Sequence, residues 1–362
     1  MAMDMKSQRE VSLVGSEEPL AEIMAKISSA LLGNGPALAF GPVQSSFAPD
    51  SIAVVVTTTG STGVAKEVAL TAQAVIASAK ASHKFLGAKI GQRWSLLLPL
   101  THIAGVNVLV RCLELQSQPI DLRNFDGEYP HADFTAIVPT QLYRALHGDE
   151  RLLRHLQSAK AVLVGGAHLP RHLRDQAERL KITIVATYGM SETCGGCVYN
   201  GKPLDGIKIE INSKSLVRIS GQSLASAYLN AEDEWQKSFD GTWFTTQDIG
   251  EYADGYLQIL GRDDEIVISG GENVSLSAID ELLSLHFPDI EAAAFAVTDV
   301  EWGHALHLAI VGEIENSTLL IFLEKTLGVS AKPKKIHRVA SIPRIGIGKV
   351  DRKALVELLH NE

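Results

Sequence analysis

The sequence predicts an α/β protein with a large N-terminal domain of mainly parallel sheets and flanking helices, followed by a small α+β domain. The chain has 362 residues, of which 46% are hydrophobic and 21% charged, and this is ordinary for a globular enzyme of about two domains. Strand-like and helix-like runs alternate through the first part of the chain, as in β/α units around a parallel sheet. From about Gly255 onward this alternation gives way to a mixture of short strands and helices.

The alternating elements lie between residues 52 and 186. The runs that predict strands are dominated by Val, Ile, Leu and Ala, and they are Ile52 to Val56, Ser95 to Leu98, Ala161 to Val164 and Ile182 to Ala186. The runs that predict helices repeat apolar residues every three or four positions, and they are Thr71 to Phe85, Ala104 to Leu115, Pro139 to His147 and Pro170 to Leu180. These units predict the sheets of an N-terminal domain.

The elements of the predicted second domain are shorter. Its strands are predicted at Leu257 to Leu260, Ile266 to Ile268, Ala292 to Val297 and Leu306 to Val311, and its helices at Ser277 to Leu285, Ser317 to Leu327 and Lys353 to Leu359. We place the boundary after Arg262. The expected domains are therefore residues 1–262 and 263–362.

Composition and charge exclude several classes of partner. The chain has 33 basic and 42 acidic residues, a formal net charge of -9, which argues against binding to nucleic acid. No apolar run approaches the roughly 18 residues that a membrane span needs, and the N-terminal segment has no apolar signal region. We expect a cytoplasmic protein that acts on small molecules, without nucleic acid and without membrane insertion.

The three cysteines, Cys112, Cys194 and Cys197, are too few for a disulfide framework in a chain of this size. Cys194 and Cys197 have the spacing of a redox pair or of half a zinc site. No second pair completes a tetrahedral site, so a structural role is favoured over a redox or metal-binding role.

A loop that follows the first predicted strand has the composition of a phosphate-binding loop. Its sequence is VVVTTTGSTGVAKEV, residues 54–68. Glycines let backbone N-H groups approach an anion, hydroxyl groups donate hydrogen bonds to phosphate oxygens, and a lysine supplies positive charge. The lysine does not directly follow the second glycine, so the Walker pattern is absent. A flexible surface turn is the alternative interpretation.

Six motifs in order resemble those of the adenylate-forming enzymes, which include the acyl-CoA synthetases. TTTGSTGVAKEV resembles the signature loop Thr-Ser-Gly-Thr-Thr-Gly-x-Pro-Lys-Gly-Val. The other motifs are LPLTHIAG (98–105), VGGAHLP (164–170), TYGMSET (187–193), the segment from WFTTQD to GGENV (243–274) and IPRIGIGKVDR (342–352). This resemblance covers the chain from Thr57 to its end.

The resemblance implies an ATP site and a magnesium ion. Lys66 and Glu192 would be catalytic, with Glu192 as the magnesium ligand beside the phosphates. Tyr188 would stack on adenine, and Asp248 and Arg262 would bind the ribose. The implied ATP-binding residues are Thr57, Thr58, Thr59, Gly60, Ser61, Thr62, Gly63, Lys66, Gly166, Ala167, Tyr188, Gly189, Ser191, Asp248 and Arg262. A core aromatic for Tyr188 and a surface ion pair for Asp248 and Arg262 stay open as alternatives.

The resemblance also implies a second half-reaction with CoA. Lys349 would bridge the attacking carboxylate and the α-phosphate, so we expect it to be catalytic. Asp264 would be the hinge about which the small, mobile C-terminal domain rotates, bringing Gly270 and Gly271 to the CoA channel. A homodimer is possible.

The acid substrate is suggested by an arginine within an apolar helix. His102, Arg111, Gly189 and Met190 are the predicted acid-binding residues. Burying Arg111 requires a carboxylate, from Glu114 or from the substrate. An arginine nine residues after this histidine resembles the o-succinylbenzoate-CoA ligases of menaquinone biosynthesis, whose acid carries two carboxylates. Adenylation of another acid, with or without loading of a carrier protein, and a non-catalytic nucleotide-binding module are the alternatives.

Overall fold

The computed structural model describes residues 7–15, 17–59, 65–269, 272–299, 303–345 and 349–359. It confirms a mixed α/β fold. Within these residues the strands form four larger sheets and one two-stranded ribbon. No helix in these ranges combines the length and apolarity that crossing a bilayer requires.

The first sheet has six strands in the order β15-β5-β4-β2-β1-β3. Its strands are β1 (Gln8–Leu13), β2 (Ala37–Phe40), β3 (Phe47–Pro49), β4 (Ile52–Thr59), β5 (Ala65–Thr71) and β15 (Ala227–Tyr228). Strands β1, β2 and β4 are parallel, whereas β3, β5 and β15 run antiparallel to their neighbours. This sheet is therefore mixed rather than mainly parallel.

The second sheet has seven strands in the order β12-β11-β10-β9-β8-β6-β7. Its strands are β6 (Trp94–Leu96), β7 (Ile120–Asp121), β8 (Phe134–Ile137), β9 (Ala161–Val164), β10 (Ile184–Met190), β11 (Gly195–Tyr199) and β12 (Lys202–Pro203). The five strands from β7 to β10 along this order are parallel, as predicted, and β11 and β12 extend the sheet as an antiparallel edge.

Helices pack on both sheets and enclose their shared core. They are α1 (Leu20–Leu31), α2 (Ala72–Leu86), α3 (Ile103–Glu114), α4 (Pro139–Leu146), α5 (Glu150–Ser158) and α6 (Arg171–Arg179). Thr71 caps α2, because its hydroxyl accepts a 3.1 Å hydrogen bond from the Ala74 N-H. Helix α3 is buried on nearly all sides from Ile103 to Cys112 and packs against α2, α1 and β6. It therefore lies at the centre of the largest core cluster.

A third sheet was not predicted. Strands β13 (Ile207–Ile211), β14 (Leu216–Gly221), β16 (Phe244–Ala253) and β17 (Tyr256–Arg262) form an antiparallel sheet in the order β13-β14-β16-β17. Helix α7 (Glu232–Ser238) lies between β15 and β16 in the chain. Every strand pair of this sheet is antiparallel, so the prediction of mainly parallel sheets up to residue 262 is wrong for this segment.

The C-terminal part has its own sheet and core clusters. The sheet contains β18 (Ile266–Ser269), β19 (Glu272–Ser275), β20 (Glu291–Asp299), β21 (Gly303–Val311) and β22 (Lys335–Arg338), and β23 (Arg344–Ile345) pairs with β24 (Lys349–Val350). The helices are α8 (Leu276–His286), α9 (Asn316–Leu327) and α10 (Arg352–Leu359). Leu283, Leu308 and Leu319 are fully buried in the first of its clusters. Strand β17 ends at Arg262, the predicted boundary, and the boundary stays a prediction.

Candidate active site

The predicted phosphate loop joins strands β4 and β5, which form an antiparallel hairpin. Thr58 lies opposite Lys66 in this hairpin, and the hydroxyl of Thr57 donates a 2.8 Å hydrogen bond to the carbonyl of Pro42. The hairpin therefore presents the threonines and the lysine on neighbouring strands. Four predicted residues of its tip, Gly60, Ser61, Thr62 and Gly63, lie outside the described residues, as does the side chain of Thr59.

Lys66 and Glu192 both contact Tyr228, Lys66 at the face of its ring and Glu192 at its hydroxyl. The Lys66 ammonium lies 5.0 Å from the centre of the Tyr228 ring, and the Tyr228 hydroxyl donates a 2.6 Å hydrogen bond to Oε1 of Glu192. Lys66 also forms a 2.6 Å ion pair with Glu234 of α7. Sequence reasoning found Lys66 and Glu192 but missed Tyr228 and Glu234, which the chain brings in from residues more than thirty positions beyond Glu192.

Tyr228 remains a hydrogen-bond donor because its phenol is difficult to ionise. Burial, followed by the negative charge of Glu192, raises the pKa of Tyr228 far above its usual value. No cluster of three or more His, Cys, Asp and Glu side chains arranged for a metal occurs in the described part of the chain. A magnesium ion at Glu192 would therefore need phosphate oxygens and water for its other ligands, and Mg²⁺ commonly binds in this way.

The predicted nucleoside residues form a second chain of contacts. The Tyr188 hydroxyl donates a 2.7 Å hydrogen bond to Oδ2 of Asp248, and Nη1 of Arg262 lies 3.2 Å from Oδ1 of the same carboxylate. Asp248 is buried, with 7% of its surface exposed, so its ion pair with Arg262 is partly buried and does not lie on the surface. Arg262 in turn binds Asp264, the predicted hinge residue.

The TYGMSET turn is shaped by its own hydrogen bonds. The backbone N-H of Met190 donates to the Thr193 hydroxyl at 2.9 Å, and this hydroxyl donates to the carbonyl of Gly195 at 2.7 Å. Ser191 and Glu192 lie in the short 3-10 helix (Ser191–Thr193) inside this turn, and Gly189 follows a bulge between β10 and β11. The turn thus fixes the backbone from which Glu192 projects.

Two glycines that sequence reasoning passed over allow close packing at this site. A Cβ added at Gly165, just before Gly166 and Ala167, would lie 2.2 Å from the Thr187 hydroxyl. One added at Gly105 in α3 would lie 2.3 Å from the carbonyl oxygen of Pro99. Both positions therefore require glycine. Gly165 stands in the motif VGGAHLP and Gly105 ends the motif LPLTHIAG, so both glycines were visible in the sequence.

His102 and Arg111 lie at the two ends of helix α3. His102 is the half-buried residue that precedes the first turn of the helix, and burial lowers its pKa. It is therefore neutral at pH 7. A gating or packing role beside the acid stays a prediction for this residue.

Arg111 is a buried cation without a carboxylate partner. It is 4% exposed, Nη2 donates a 3.1 Å hydrogen bond to the Tyr199 hydroxyl, and the guanidinium carbon lies 4.7 Å from the centre of the Trp94 ring. Nε has no hydrogen-bond partner, and no carboxylate of the described residues lies within 4.0 Å of the guanidinium. The alternative pairing with Glu114 is not formed, because Glu114 binds His83 instead.

Asn107 lies one helical turn before Arg111 and was missed by sequence reasoning. Its Nδ2 donates a 2.7 Å hydrogen bond to the carbonyl of Cys194, while its Oδ1 is buried and has no partner. An asparagine four residues before an arginine in an apolar helix was the available signal. Asn107 and Arg111 thus leave two polar atoms unsatisfied along one face of α3.

The cysteines are free and buried. Burial raises the pKa of the Cys197 thiol to about 12, and that of Cys194 higher still. Thiols that ionise so reluctantly are poor nucleophiles and poor metal ligands, which agrees with the structural role favoured above.

The remaining predicted residues belong to the C-terminal part. Gly270 and Gly271 lie outside the described residues, and so does the side chain of Lys349. The backbone of Lys349 pairs with Ile345 in the ribbon of β23 and β24. Their roles stay predictions.

Comparison with known proteins is consistent with this arrangement. Residues 4–233 match the family described as AMP-binding enzyme. A probable 2-succinylbenzoate-CoA ligase of Mycobacterium tuberculosis is 37% identical over 372 residues, which cover 94% of this chain and 96% of the relative. A 2-succinylbenzoate-CoA ligase of Lactococcus lactis is 31% identical over 334 residues, covering 86% and 72%.

Solved structures share the fold. An o-succinylbenzoate CoA synthetase from Bacillus subtilis, in complex with its acyl-adenylate intermediate, superposes with a TM-score of 0.75 at 21% identity over 95% of this chain and 82% of that chain. The same enzyme with ATP and magnesium gives a TM-score of 0.75 at 22% identity over 96% and 83%. With its motifs, its fold and these relatives, the chain belongs to the AMP-binding enzyme family, the adenylate-forming enzymes.

Proposed function

We propose that the protein ligates o-succinylbenzoate to CoA with ATP, through an acyl-adenylate, as a step of menaquinone biosynthesis. AMP and pyrophosphate are the other products. The observation that carries the choice of acid is the Arg111 guanidinium, which is buried, stacked on Trp94 and unpaired with any carboxylate of the described residues. The ligase names of the relatives at 37% and 31% identity support the same acid.

In the first half-reaction a carboxylate oxygen of the acid attacks the α-phosphorus of ATP, and pyrophosphate leaves. Little covalent chemistry falls to the protein, so its contribution is positioning and charge stabilisation. Lys66 would neutralise the departing phosphates, and Glu192, held by Tyr228, would keep its carboxylate turned toward the cation. A magnesium ion held there by Glu192 would neutralise part of the phosphate charge.

In the second half-reaction the CoA sulfur attacks the acyl carbonyl of the adenylate. The tetrahedral intermediate collapses with loss of AMP, and the thioester forms. We place this step after a rotation of residues 263–362 about Asp264 that withdraws Lys349 and brings the segment of Gly270 and Gly271 to the cleft. CoA is therefore a co-substrate in this proposal.

The nucleoside would be held by the contacts around Asp248. Its carboxylate already accepts hydrogen bonds from Tyr188 and Arg262, so it is oriented before ATP arrives. Each carboxylate oxygen has two lone pairs, which leaves room for the ribose hydroxyls. Arg262 would hold this carboxylate at the ribose, while the Tyr188 ring and the backbone of Gly166 and Ala167 would border the adenine.

Arg111 would hold the carboxylate of o-succinylbenzoate that is not activated. Burying a cation without a counter-ion costs several kcal/mol, and a substrate carboxylate would return much of that cost when it binds. A planar guanidinium can contact a carboxylate through two parallel hydrogen bonds, and Nε, which has no partner, is available for one of them.

The test compares Arg111→Ala, Arg111→Lys and the unchanged protein in pyrophosphate release and thioester formation. We expect Arg111→Ala to raise the KM for o-succinylbenzoate by the equivalent of about 2 to 5 kcal/mol, with the KM for ATP within a few-fold. Arg111→Lys should recover only part of the loss, because an ammonium lacks the planar fork. An aromatic acid with a single carboxylate should be affected little.

Arg151→Ala is the matched control, since Arg151 of helix α5 also lies over an aromatic ring, 4.3 Å from the centre of Tyr129, but is only half-buried and donates to the carbonyl of Phe125. It should leave the acid KM unchanged. A destabilised Arg111→Ala protein with unchanged acid selectivity, or faster turnover of a different acid by the unchanged protein, would refute the assignment of o-succinylbenzoate.

A further inference from the structure

A buried chain of hydrogen bonds leads from helix α2 to the ring on which Arg111 rests. Nε1 of Trp94 lies 3.2 Å from Nε2 of His83, and Nδ1 of His83 forms a hydrogen bond with Oε2 of Glu114. His83 is 5% exposed and Trp94 fully buried. His83 has no part in the proposed function, and neither residue stands in one of the family motifs.

The direction of each hydrogen bond follows from the chemistry of the groups. An indole N-H only donates, so Nε2 of His83 must accept and carries no proton. The ring proton of neutral histidine is then on Nδ1, where it is donated to the Glu114 carboxylate. Burial lowers the pKa of His83 and the charge of Arg111 adds to this, while the hydrogen bond to Glu114 opposes it. His83 is thus held in one tautomer and one orientation.

The Trp94 indole is fixed on two sides by these contacts. Its N-H edge is bound to His83, and the Phe134 ring packs against it with centroids 5.0 Å apart. The Arg111 guanidinium lies over the same indole, 4.7 Å from its centre. A cation over an aromatic face is attracted by the ring quadrupole, so the plane of the indole determines where the guanidinium sits.

A second hydrogen-bond chain holds the guanidinium from the side. Arg111 donates to the Tyr199 hydroxyl, which leaves that hydroxyl to donate its own proton to Ser82, 2.9 Å away. Both chains include a residue of α2, Ser82 in one and His83 in the other. The guanidinium is therefore oriented by two adjacent residues of a helix that does not itself contact the acid in the proposed function.

We propose that His83 is a positioning residue for acid specificity, which acts through the Trp94 indole to orient Arg111 toward the non-reacting carboxylate of the substrate. This inference rests on the proposed function, because it requires that Arg111 bind the acid. It adds that the selectivity for a dicarboxylic acid depends on a histidine that does not contact the substrate and forms no hydrogen bond with Arg111.

The experiment is a double-mutant cycle of His83→Leu and Trp94→Phe, measured as the KM for o-succinylbenzoate, the KM for ATP and kcat. The phenyl ring of Trp94→Phe keeps an aromatic face but removes the N-H that His83 orients. We expect each single variant to raise the acid KM about fivefold, because the aromatic ring under Arg111 is no longer held in its plane, with the ATP KM within about twofold. The double variant should be no worse than the poorer single variant.

His155→Leu is the matched control, because His155 is also a buried histidine but binds Ser95 instead of Trp94. It should leave the acid KM unchanged. If His83→Leu yields no folded protein, Glu114→Gln tests the same chain from its outer end and should likewise raise the acid KM. A merely structural role predicts equal losses with monocarboxylic and dicarboxylic acids.

Arg111→Ala separates the two proposals. If Arg111→Ala raises the acid KM while His83→Leu and Trp94→Phe do not, or if their effects simply add, the positioning role is refuted and the proposed function stands. If Arg111→Ala itself leaves the acid KM unchanged, the proposed function fails, and the positioning role fails with it.

Discussion

Arg262 binds Asp264 through two parallel hydrogen bonds of 2.7 Å, one from Nε and one from Nη2. The third contact of the same guanidinium, 3.2 Å from Nη1 to Oδ1, reaches Asp248. The predicted ribose carboxylate and the predicted hinge are therefore connected through one side chain. Occupation of the nucleoside site and rotation at the hinge are expected to influence each other through Arg262.

Asp264→Pro should slow thioester formation while leaving adenylation nearly intact. Proline restricts φ at the position about which the C-terminal domain is proposed to rotate, but it does not prevent the starting conformation. The two half-reactions are measured separately, as pyrophosphate release and as CoA transfer from pre-made acyl-adenylate.

Asp264→Ala is the control for Asp264→Pro, since it removes the two hydrogen bonds to Arg262 without restricting the backbone. We expect the alanine variant to transfer the acyl group faster than the proline variant. CoA transfer at the unchanged rate in Asp264→Pro would place the hinge elsewhere in the chain.

Lys349→Ala should suppress adenylation by several orders of magnitude and spare thioester formation from pre-made acyl-adenylate. A cation between the attacking carboxylate and the α-phosphate acts in the transition state of the first half-reaction alone. Lys353→Ala, in helix α10 of the same C-terminal segment, is a suitable control. Equal losses in both half-reactions would contradict the assignment of Lys349.

Glu234→Gln should lower the KM for ATP at low salt. Glu234 forms a 2.6 Å ion pair with Lys66, and the phosphates of ATP would compete with this carboxylate for the ammonium. The pair is partly exposed, so we expect a change of about twofold to fivefold that diminishes as salt is added. Lys66→Ala should raise the same KM. A higher ATP KM in Glu234→Gln would mean that Glu234 orients the lysine instead of competing for it.

The local sequence pattern was sufficient to predict the strands and helices that carry most of the motifs. Strand β9 and helix α3 lie within one residue of their predicted bounds, because a continuous apolar run and a helical repeat are visible in a short window. The antiparallel sheet from Ile207 to Arg262 was missed. Its last strand, Tyr256–Arg262, was predicted in part, but others such as Leu216–Gly221 mix buried and half-buried positions without regular alternation. Helix α7 lies between two strands of this sheet that are antiparallel, so it does not mark a parallel unit.

The partners of the site residues could not be predicted from the sequence, because they are far apart in the chain. Arg111 meets Tyr199 across 88 positions, and Tyr188 meets Asp248 across 60. The sequence predicted that Arg111 needs a carboxylate, since that follows from burying its charge. It did not exclude Glu114, which the fold turns toward His83.

A buried histidine outside the proposed site gives a prediction about pH. His155 is 2% exposed and lies 2.9 Å from the Ser95 hydroxyl through Nε2, with its ring against Tyr129 at a centroid distance of 5.5 Å. Burial lowers its pKa to about 4, although the nearby backbone of Pro130 opposes the shift. The unfolded chain binds this proton near the usual pKa of about 6.5.

The free energy of unfolding should therefore fall as the pH is lowered from about 6.5 to about 4, because in this window the unfolded state takes up a proton that the folded state does not. For His155 alone the loss approaches about 3 kcal/mol at the acid end, and the full stability is present above pH 6.5. His155→Leu removes this titration. The free energy of unfolding is measured with urea at a series of pH values. At pH 7 the variant should be less stable than the unchanged protein, because the contact with Ser95 is lost. Between pH 6.5 and 4 its stability should change less with pH. Parallel curves for the two proteins would show that His155 is protonated equally readily in both states, and that its burial does not control the acid sensitivity of the fold.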